Sequence, residues 1–288
     1  MIDLSSEDPE QIADWIEIVA SSSHGVPFSI QKLQEISEKI AGVSRMQISY
    51  AFKRIKLRSR ILGERYPFLV DDEYLATKLT VADSLYLRLL FLSPGPWRNA
   101  LDFKINTDVA GKIFEDVAAS ALSSFFGENT HSLNFGFPSK SGRPADFPSA
   151  IQWLSKMTNI RLGIAFRPPR MKDGGVDLFV WKSFGDKKPG LPIMLVQCTI
   201  MEDFVNKIGD IDIRLWSSWL SSDIEPLVAL AIPGIVDSDD IWNEITTRGI
   251  LLDRIRLVEV ADEQMSELDA DSARYLRSVV EGYRRVLH

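Results

Sequence analysis

Two polar residues interrupt segments that otherwise read as buried strands. Asp177 lies in the apolar run Val176–Trp181, behind a Gly-Gly pair, and Gln197 lies near the end of the run Ile193–Cys198. An ionised carboxylate in such a run costs several kcal/mol unless it is paired or binds a metal ion. The segment between the two runs has the length of a hairpin connection. Adjacent strands would therefore bring Asp177 and Gln197 together, where we expect ion pairing or metal binding.

Two further candidates lie on helices before and after these strands. Glu115 borders the apolar seam of a helix predicted over Val109–Phe126, and its neighbour Asp116 takes its place if the register differs by one. Lys207 lies on the sheet-facing edge of a later amphipathic stretch. Taken alone, Glu115 and Lys207 are typical surface residues.

The two strand residues, Asp177 and Gln197, could also have purely structural roles. Asp177 could cap backbone amides after the Gly-Gly turn, and Gln197 could be a satisfied amide at a strand end. Cys198 is expected to be a small buried apolar residue, since no histidine is near it in sequence to activate a thiolate. The candidate residues are informative together, through their order and spacing along the chain.

The composition limits the classes of protein to consider. The chain has 288 residues, 45% apolar, with 33 basic and 40 acidic side chains and a net charge of −7. This apolar share supports a folded core. One cysteine excludes an internal disulfide and a multi-cysteine zinc site. An acidic N-terminus and the lack of an apolar run of about 18 residues lead us to expect a soluble, cytoplasmic protein without a membrane segment.

The N-terminal third is predicted to be helical. The predicted helices are 8–22 (capped by Asp8), Ser29 to Gly42, Ser44 to Ile61 and Val81 to Leu92. Ser93-Pro94-Gly95-Pro96 is the strongest break in the chain, because neither proline continues a helix. We therefore predict a helical domain over 1–100, which could be winged-helix-like, and a second domain over 101–288.

Beyond the break the pattern alternates between helices and short apolar runs. The runs read as strands are Leu162–Phe166, Val176–Trp181, Ile193–Cys198, Leu227–Ile232 and Arg256–Val260, and a last helix is predicted over Ser272–Leu287. The middle runs are apolar at nearly every position, which is typical of strands buried on both faces. This alternation predicts an α/β domain.

The order of the candidate residues resembles that of a nuclease superfamily. A helix with Glu115, a Gly-Gly-x-Asp strand with Asp177, a strand ending in Gln197 and a following helix with Lys207 resemble the PD-(D/E)xK nucleases. The resemblance covers roughly residues 105–235. It implies a restriction-endonuclease-like core of order αβββαβ.

A closer likeness is to a bacterial group often linked with phage defence. Its strands read like GxDxxxW and QC-T-x, as in Gly175–Trp181 and Val196–Thr199, and Tyr66-Pro67-Phe68 resembles a motif that precedes the nuclease part. The usual (D/E)-x-K becomes Gln197-Cys198-Thr199, so Thr199 stands where the lysine is expected. In some members the lysine function moves to the next helix, and Lys207 is the matching residue.

The resemblance implies a metal-dependent reaction. Phosphodiester hydrolysis needs a hard cation, Mg²⁺ or Mn²⁺, to polarise the phosphate and activate water. Asp177, Glu115, the Gln197 side-chain oxygen and the Cys198 backbone carbonyl are the implied ligands. Lys207 is the implied residue that holds or deprotonates the water and offsets charge on the phosphate. Glutamine in place of glutamate removes one negative charge, which should weaken a second metal site.

A basic segment within the helical part is the candidate DNA contact. Gly42–Ser49 resembles the turn and recognition-helix start of a helix-turn-helix. Arg45, Gln47 and Ser49 would face a major groove, and the residues expected to face phosphates are Lys53, Arg54, Lys56 and Arg58. The alternatives are a solvated helix face and a dimerisation surface.

The resemblance and the basic segment together imply a Mg²⁺-dependent DNA endonuclease in bacterial anti-phage defence. Two alternatives stay open. One is a catalytically inactive relative that binds DNA or scaffolds a defence complex, and the other is a helix-turn-helix transcriptional regulator. The expected partners are DNA and a second copy of the chain or a defence-system protein. The sequence has no P-loop and no Gly-x-Gly-x-x-Gly fingerprint, so it lacks the usual phosphate cradles of nucleotide-binding proteins.

Overall fold

The structure is a computed structural model that describes residues 4, 8–22, 26–71, 74–101, 105–138, 142–164, 167, 169–262 and 267–287. The chain forms two compact units. The first comprises Met1–Ala110, Pro233–Asp237 and Ser266–His288, and the second comprises Gly111–Ile232 and Ser238–Met265. The boundary predicted near residue 100 lies close to Ala110. The C-terminal helix, assigned by sequence to the second domain, is part of the first unit.

The described residues form both helices and strands. The helices are α1 Pro9–Ser21, α2 Ile30–Ala41, α3 Arg45–Leu62, α4 Leu85–Leu92, α5 Thr107–Leu122, α6 Phe147–Thr158, α7 Ile213–Trp219, α8 Asp239–Thr246, α9 Arg254–Val260 and α10 Ala270–Leu287. The strands are β1 Phe28–Ser29, β2 Phe68–Val70, β3 Tyr74–Thr77, β4 Thr130–Asn134, β5 Arg161–Leu162, β6 Leu178–Lys182, β7 Ile193–Cys198, β8 Leu220–Ser221, β9 Leu227–Ala231 and β10 Ile250–Leu252. Short 3₁₀ helices span Gly63–Arg65, Pro96–Ala100 and Val205–Asp210.

Side-chain caps fix the starts of the first three helices. Asp8 accepts from the Gln11 amide at 2.8 Å, and Ser29 caps α2 in the same way. Ser44 and Gln47 form a reciprocal capping box at the start of α3. The predicted starts of α1, α2 and α3 are thereby confirmed. Helix α4 begins at Leu85 rather than at residue 81, because Ser84 provides its cap.

The first unit is not all-helical, so that part of the prediction is wrong. Its strands form a three-stranded antiparallel sheet in the order β1-β3-β2. They have only two to four residues each, too few for an alternating pattern to stand out in the sequence. The core of this unit is aromatic at its centre, where Tyr66, Phe68 and Tyr86 are in mutual ring contact.

The second unit contains a five-stranded mixed sheet in the order β10-β9-β7-β6-β4. Strands β4, β6 and β7 pair antiparallel, whereas β7, β9 and β10 pair parallel. Helices α6 and α7 cover one face, where Phe147 and Trp216 contact Phe135 and Phe179. The predicted α/β class is confirmed.

Two predicted strands differ from the structure. Residues 256–260 belong to helix α9, which Asp253 caps by accepting from the Arg256 amide, and the strand at this place is β10. A short apolar run is ambiguous between the two states, and the capping aspartate is what decides it. Of the run predicted over 162–166, only Leu162 lies in a strand, and residues 165 and 166 are outside the described part of the chain. Among the described helices, none has the length and apolarity to cross a membrane.

Candidate active site

The backbone of Asp177 is held between two strands. Its carbonyl oxygen accepts from the amides of Phe135 and Gly136, at 2.7 and 3.0 Å, just beyond β4. Its own amide donates to the Val196 carbonyl on β7 at 2.9 Å. Asp177 therefore extends the antiparallel pairing by one residue past the start of β6, which fixes where its side chain lies.

The carboxylate of Asp177 contacts Gln197 and Cys198. Its Oδ2 atom accepts from the Gln197 Nε2 at 2.6 Å and from the Cys198 backbone amide at 2.7 Å. Within the described residues, Oδ1 has no hydrogen-bond donor. A Cβ atom at Gly136 would lie 3.1 Å from Oδ1, so the glycine keeps room beside that oxygen. The structure thus brings Asp177 and Gln197 into direct contact.

Burial and neighbouring acids raise the pKa of Asp177 to about 8. Burial is the largest cause, and the negative charge of Glu115 is the next. Asp173 also raises the pKa, while the Cys198 amide and the Lys207 ammonium lower it. The field of Glu115 and Lys207 thus reaches the carboxylate, and the negative charges are only partly offset. A cation bound beside Oδ1 would complete the balance.

Glu115, and not its neighbour, is the acid of α5 that acts on Asp177. The Asp116 carboxylate accepts a hydrogen bond from the Asn134 amide on β4, which gives it a structural role. Glu115 is half-buried and also raises the pKa of the Cys198 thiol, after burial and Asp177. The buried thiol is therefore poorly suited to be a nucleophile.

Lys207 lies on the 3₁₀ helix Val205–Asp210 rather than on a regular α-helix. Its Nζ atom is 3.6 Å from the Asp210 carboxylate, and the lysine side chain is 44% exposed. The ammonium is thus at the rim of the site and within electrostatic range of Asp177. The ion pair with Asp210 is exposed enough to be weak.

Two glycines before Asp177 allow its loop to meet this 3₁₀ helix. Gly175 has φ of +78°, and a Cβ atom there would lie 2.1 Å from the Asp210 carbonyl oxygen. Gly174 has φ of +66° and accepts from the Trp216 indole through its carbonyl oxygen at 3.0 Å. Both positions require glycine, and the close approach at Gly175 fixes the spacing between the Asp177 loop and the Lys207 segment.

The donor set fits a hard divalent cation. Among the described residues there is no group of three or more His, Cys, Asp or Glu side chains placed to hold a metal ion. Mg²⁺ is usually held through only one or two carboxylates and retains several waters. Asp177 and Glu115 supply that number of carboxylates. The Gln197 amide presents Nε2 to the Asp177 Oδ2, so its oxygen would reach an ion only if the amide turned over and gave up this hydrogen bond. The Cys198 carbonyl oxygen lies 3.3 Å from Gln197 Nε2, at the same edge.

Two loop residues that were not predicted from the sequence also contribute to the site. Asp173 adds negative charge near Asp177 and also accepts from the Gly175 amide. Arg143 is buried, lies over the Phe135 ring, and donates to the Lys172 carbonyl oxygen at 2.7 Å. It thus ties the segment after β4 to the loop before Asp177. Only the Asp-Gly-Gly-x-Asp spacing gave a signal for Asp173, and nothing local indicated Arg143.

The basic segment on α3 is less available than its sequence predicted. Arg58 is 2% exposed and bonded to Glu10 and Asp14, so the prediction that it faces phosphates is wrong. Arg54 pairs with Glu10 and Asp237. The physical reason is that acids of α1 and of the 233–237 segment neutralise this part of the helix.

Of the other predicted contacts, Ser49 and the basic residues Arg45, Lys53 and Lys56 are exposed, whereas Gln47 is half-buried and its side chain caps the Ser44 amide. Arg45 pairs with Glu38 at 3.3 Å but has a side chain that is 82% exposed. Lys53 lies over the Tyr50 ring at 4.9 Å, and Lys56 is exposed as well. The same face carries exposed apolar side chains, namely Met46, Tyr50, Leu57 and Ile61. DNA contact and a dimerisation surface therefore both stay predictions for this face.

Comparison with known proteins adds no relative. No protein-family model, no curated protein and no solved structure matches the chain.

Proposed function

We propose that the protein is a Mg²⁺-dependent DNA endonuclease, cytoplasmic, with a restriction-endonuclease-like core. The observation that carries the proposal is the environment of one carboxylate. Asp177 is buried, bonded to Gln197, and within the field of both Glu115 and Lys207. Two acids, an amide and an ammonium that act on one carboxylate would have a joint purpose in phosphodiester hydrolysis.

The element order supports the core assignment. The core order αβββαβ is matched by helix α5, strands β4, β6 and β7, the Val205–Trp219 helical stretch and strand β9, with α6 and β5 inserted between β4 and β6 and β8 inserted before β9. The first three strands are antiparallel and the fourth lies parallel to the third. The sequence resemblance implied this order, and it also carries the further proposal of a role in anti-phage defence.

Mg²⁺ or Mn²⁺, when bound, would polarise the phosphate and lower the pKa of the attacking water. Asp177 Oδ1 and Glu115 are the residues that would hold the ion, helped by the Cys198 carbonyl oxygen, while Gln197 would hold the other oxygen of Asp177. The hydrogen bonds to Asp177 Oδ2 fix the orientation of that carboxylate before any ligand arrives. This preorganisation is a property of the protein alone.

Lys207 has a separate task in the proposed reaction. Its ammonium donates hydrogen bonds, so it can orient the attacking water and offset negative charge that develops on the phosphate. Its rim position leaves it accessible to a phosphate. Thr199, which takes the usual lysine position, instead accepts from the Met201 amide through its hydroxyl at 3.1 Å. Among the described residues, we assign the positive charge to Lys207.

The first unit supports a DNA-positioning role. Helices α2 and α3 are joined by the short segment Gly42–Ser44, and the hairpin β2–β3 follows. A helix-turn-helix followed by a hairpin is the arrangement called a winged helix. In such motifs the second helix is the one placed in the major groove, and here that helix is α3.

Cleavage of a supercoiled plasmid tests the proposal. The wild type should nick or linearise it with Mg²⁺ but not with EDTA. Asp177→Asn and Lys207→Met should each lower the rate by about 10² or more, the range of a lost charge-stabilising or proton-transferring group. Asp146→Asn and Lys112→Met make the same chemical changes on exposed residues and should cleave normally.

Other outcomes would assign the protein elsewhere. DNA binding without cleavage under any divalent ion would overturn the enzyme proposal and favour an inactive, scaffolding relative. Selective binding to one promoter without cleavage would favour the transcriptional regulator. Cleavage of RNA but not of DNA would support the hydrolytic site and would mean that the substrate is RNA.

A further inference from the structure

A pocket of about 860 Å³ lies in the second unit at the opposite end of β6 from Asp177. Its wall includes β4, the end of α6 and the loop that follows β6. Trp181, which lines the pocket, is four residues beyond Asp177, which places it roughly 13 Å away along an extended strand. The volume is typical of a small-molecule site. The pocket is therefore separate from the proposed hydrolytic centre.

The charge of this pocket is positive in an acidic chain. Lys156, Lys187 and Lys188 line it, and no acidic residue is among the described residues of the lining. Within the described part of the chain, none of the three ammonium groups has an ion-pair partner. The nearest carboxylate in sequence, Asp186, accepts from the Lys188 backbone amide. Three lysines that line one concave surface indicate an anionic ligand.

The same pocket contains a flat aromatic platform. The His131 ring stacks on the Trp181 ring at 5.0 Å with an interplanar angle of 27°. His131 Nε2 lies 2.8 Å from the Ser183 hydroxyl, which holds the imidazole in place. Trp181 is buried and His131 is exposed, so the imidazole is the outer layer of the stack. Phe184, 47% exposed, is a second aromatic ring of the lining.

We propose that the His131 pocket, lined by His131, Trp181, Phe184, Lys156, Lys187 and Lys188, binds a nucleotide. The base stacks on His131, and the lysines hold the phosphates. Aromatic stacking combined with basic side chains is the general chemistry of nucleotide recognition without a glycine loop. This arrangement is consistent with the lack of a P-loop, since ammonium groups replace the backbone amides. The inference does not depend on the hydrolytic site.

A nucleotide of this kind has two sources, a free nucleotide or an unpaired nucleotide at the end of a DNA strand. Calorimetric titration of the full chain in EDTA distinguishes them, with ATP, GTP, inorganic triphosphate and a short single-stranded oligothymidylate as probes. A free-nucleotide site binds ATP or GTP more tightly than the oligonucleotide. A strand-end site shows the reverse order. Either order of affinities supports the proposal that the pocket binds a nucleotide.

Variants test each half of the site. His131→Ala should weaken nucleotide binding by about tenfold or more, because the base loses its platform. His131→Phe keeps an aromatic ring and should retain binding. Lys187→Met/Lys188→Met should weaken binding of all phosphate probes, while Lys112→Met, which removes an exposed lysine of α5, should not.

Thermal unfolding of each variant separates lost binding from lost folding. The proposal fails if no probe binds at millimolar concentration to the folded wild type. It also fails if inorganic triphosphate binds as tightly as ATP and His131→Ala changes nothing, because the site would then recognise charge without a base. Both results are independent of whether the protein cleaves DNA.

Discussion

The surroundings of Asp177 in the folded protein disfavour the ionised form of its carboxyl group. The residue is 9% exposed, its two hydrogen bonds from described residues both reach the same carboxylate oxygen, and Glu115 and Asp173 add negative charge nearby. Lys207 offsets this only in part. Natural proteins retain such unfavourable charges where function requires them. The consequence is that Asp177 should lower the stability of the metal-free protein at neutral and alkaline pH.

Asp177→Asn should therefore stabilise the metal-free protein in a pH-dependent way. In the unfolded chain the carboxyl loses its proton near pH 4, whereas in the folded chain it retains it up to about pH 8. The folded state binds the extra proton in this window, so the stability of the wild type falls as pH rises through it. In EDTA, thermal unfolding should give the variant a higher Tm at about pH 8, with a difference that shrinks toward about pH 5.

Asp146→Asn is the matched control, since Asp146 caps α6 and the Ser149 amide and hydroxyl lower its pKa. Asp146 therefore stabilises the folded protein at pH values above the pKa of the unfolded chain, and this stabilisation is lost as pH falls. Its pH dependence is opposite in sign to that of Asp177. Its variant should show no gain at about pH 8. A lower Tm for Asp177→Asn at both pH values would mean that the charge is stabilising and that our reading of the site is incorrect.

At the scale of elements, buried ion pairs connect helix α1 to helix α3. The Arg58 guanidinium donates to Asp14 at 2.8 Å and to the Tyr86 hydroxyl at 3.2 Å, and it lies 3.0 Å from Glu17. Burial alone would lower the pKa of Arg58, but these charges raise it. Tyr66 donates to Glu17 at 2.5 Å, so the network also includes the aromatic centre of this unit.

Arg58→Met should lower the free energy of unfolding of this unit by about 3–5 kcal/mol, because it leaves buried carboxylates without their counter-charge. Urea denaturation followed by far-UV circular dichroism measures the change. Arg60→Met, on the same helix but exposed, should change stability by less than about 0.5 kcal/mol. Equal effects of the two substitutions would contradict a stabilising role for the buried network.

Local signals in the sequence predicted part of this architecture. Asp8, Ser29 and Ser44 are helix caps whose effect is confined to the next turn, and each predicted a helix start that the structure confirms. Asp177 and Gln197 were placed together because a hairpin sets the register of two neighbouring strands. In both cases the information lies within a short stretch of chain.

The remainder depends on partners distant in sequence. Arg58 lies in a basic run that reads as a solvated face, and its burial follows from acids on α1, which no local pattern connects to it. Asp173 reaches the site through a loop whose path depends on the contact between Gly175 and Asp210. Helix α9 reads as a strand in the sequence because the five residues 256–260, three of them apolar, are too few to specify a period. Tertiary contacts decide the first two of these, whereas the Asp253 cap decides the third.

At the scale of the whole molecule, a net charge of −7 opposes binding to DNA unless positive groups are concentrated. The structure leaves a smaller basic surface on α3 than the sequence predicted. Arg58 is removed from it, and Arg54 is paired with acids. Lys53 and Lys56 are the exposed lysines of that surface. Any DNA affinity of this unit should thus depend on few phosphate contacts.

Lys53→Ala/Lys56→Ala should weaken binding to a fluorescein-labelled duplex in EDTA and lower the salt slope. Each lost phosphate contact removes about 0.9 from the slope of log affinity against log salt, so the pair should remove roughly 2. Arg274→Ala/Arg277→Ala, which removes two exposed charges from α10, should leave the slope unchanged. An unchanged slope in the α3 variant would favour the dimerisation surface, which sedimentation of the same variant would test.

The convergence of Asp177, Glu115 and Gln197 on one divalent cation is tested most directly by calorimetric titration of Mn²⁺ into the metal-free protein. We expect one site per chain in the wild type, loss of that site in Asp177→Asn, and weaker binding in Gln197→Ala. Asp146→Asn should bind as the wild type does. Equal Mn²⁺ binding by the wild type and Asp177→Asn, or no binding by either, would contradict the proposed site.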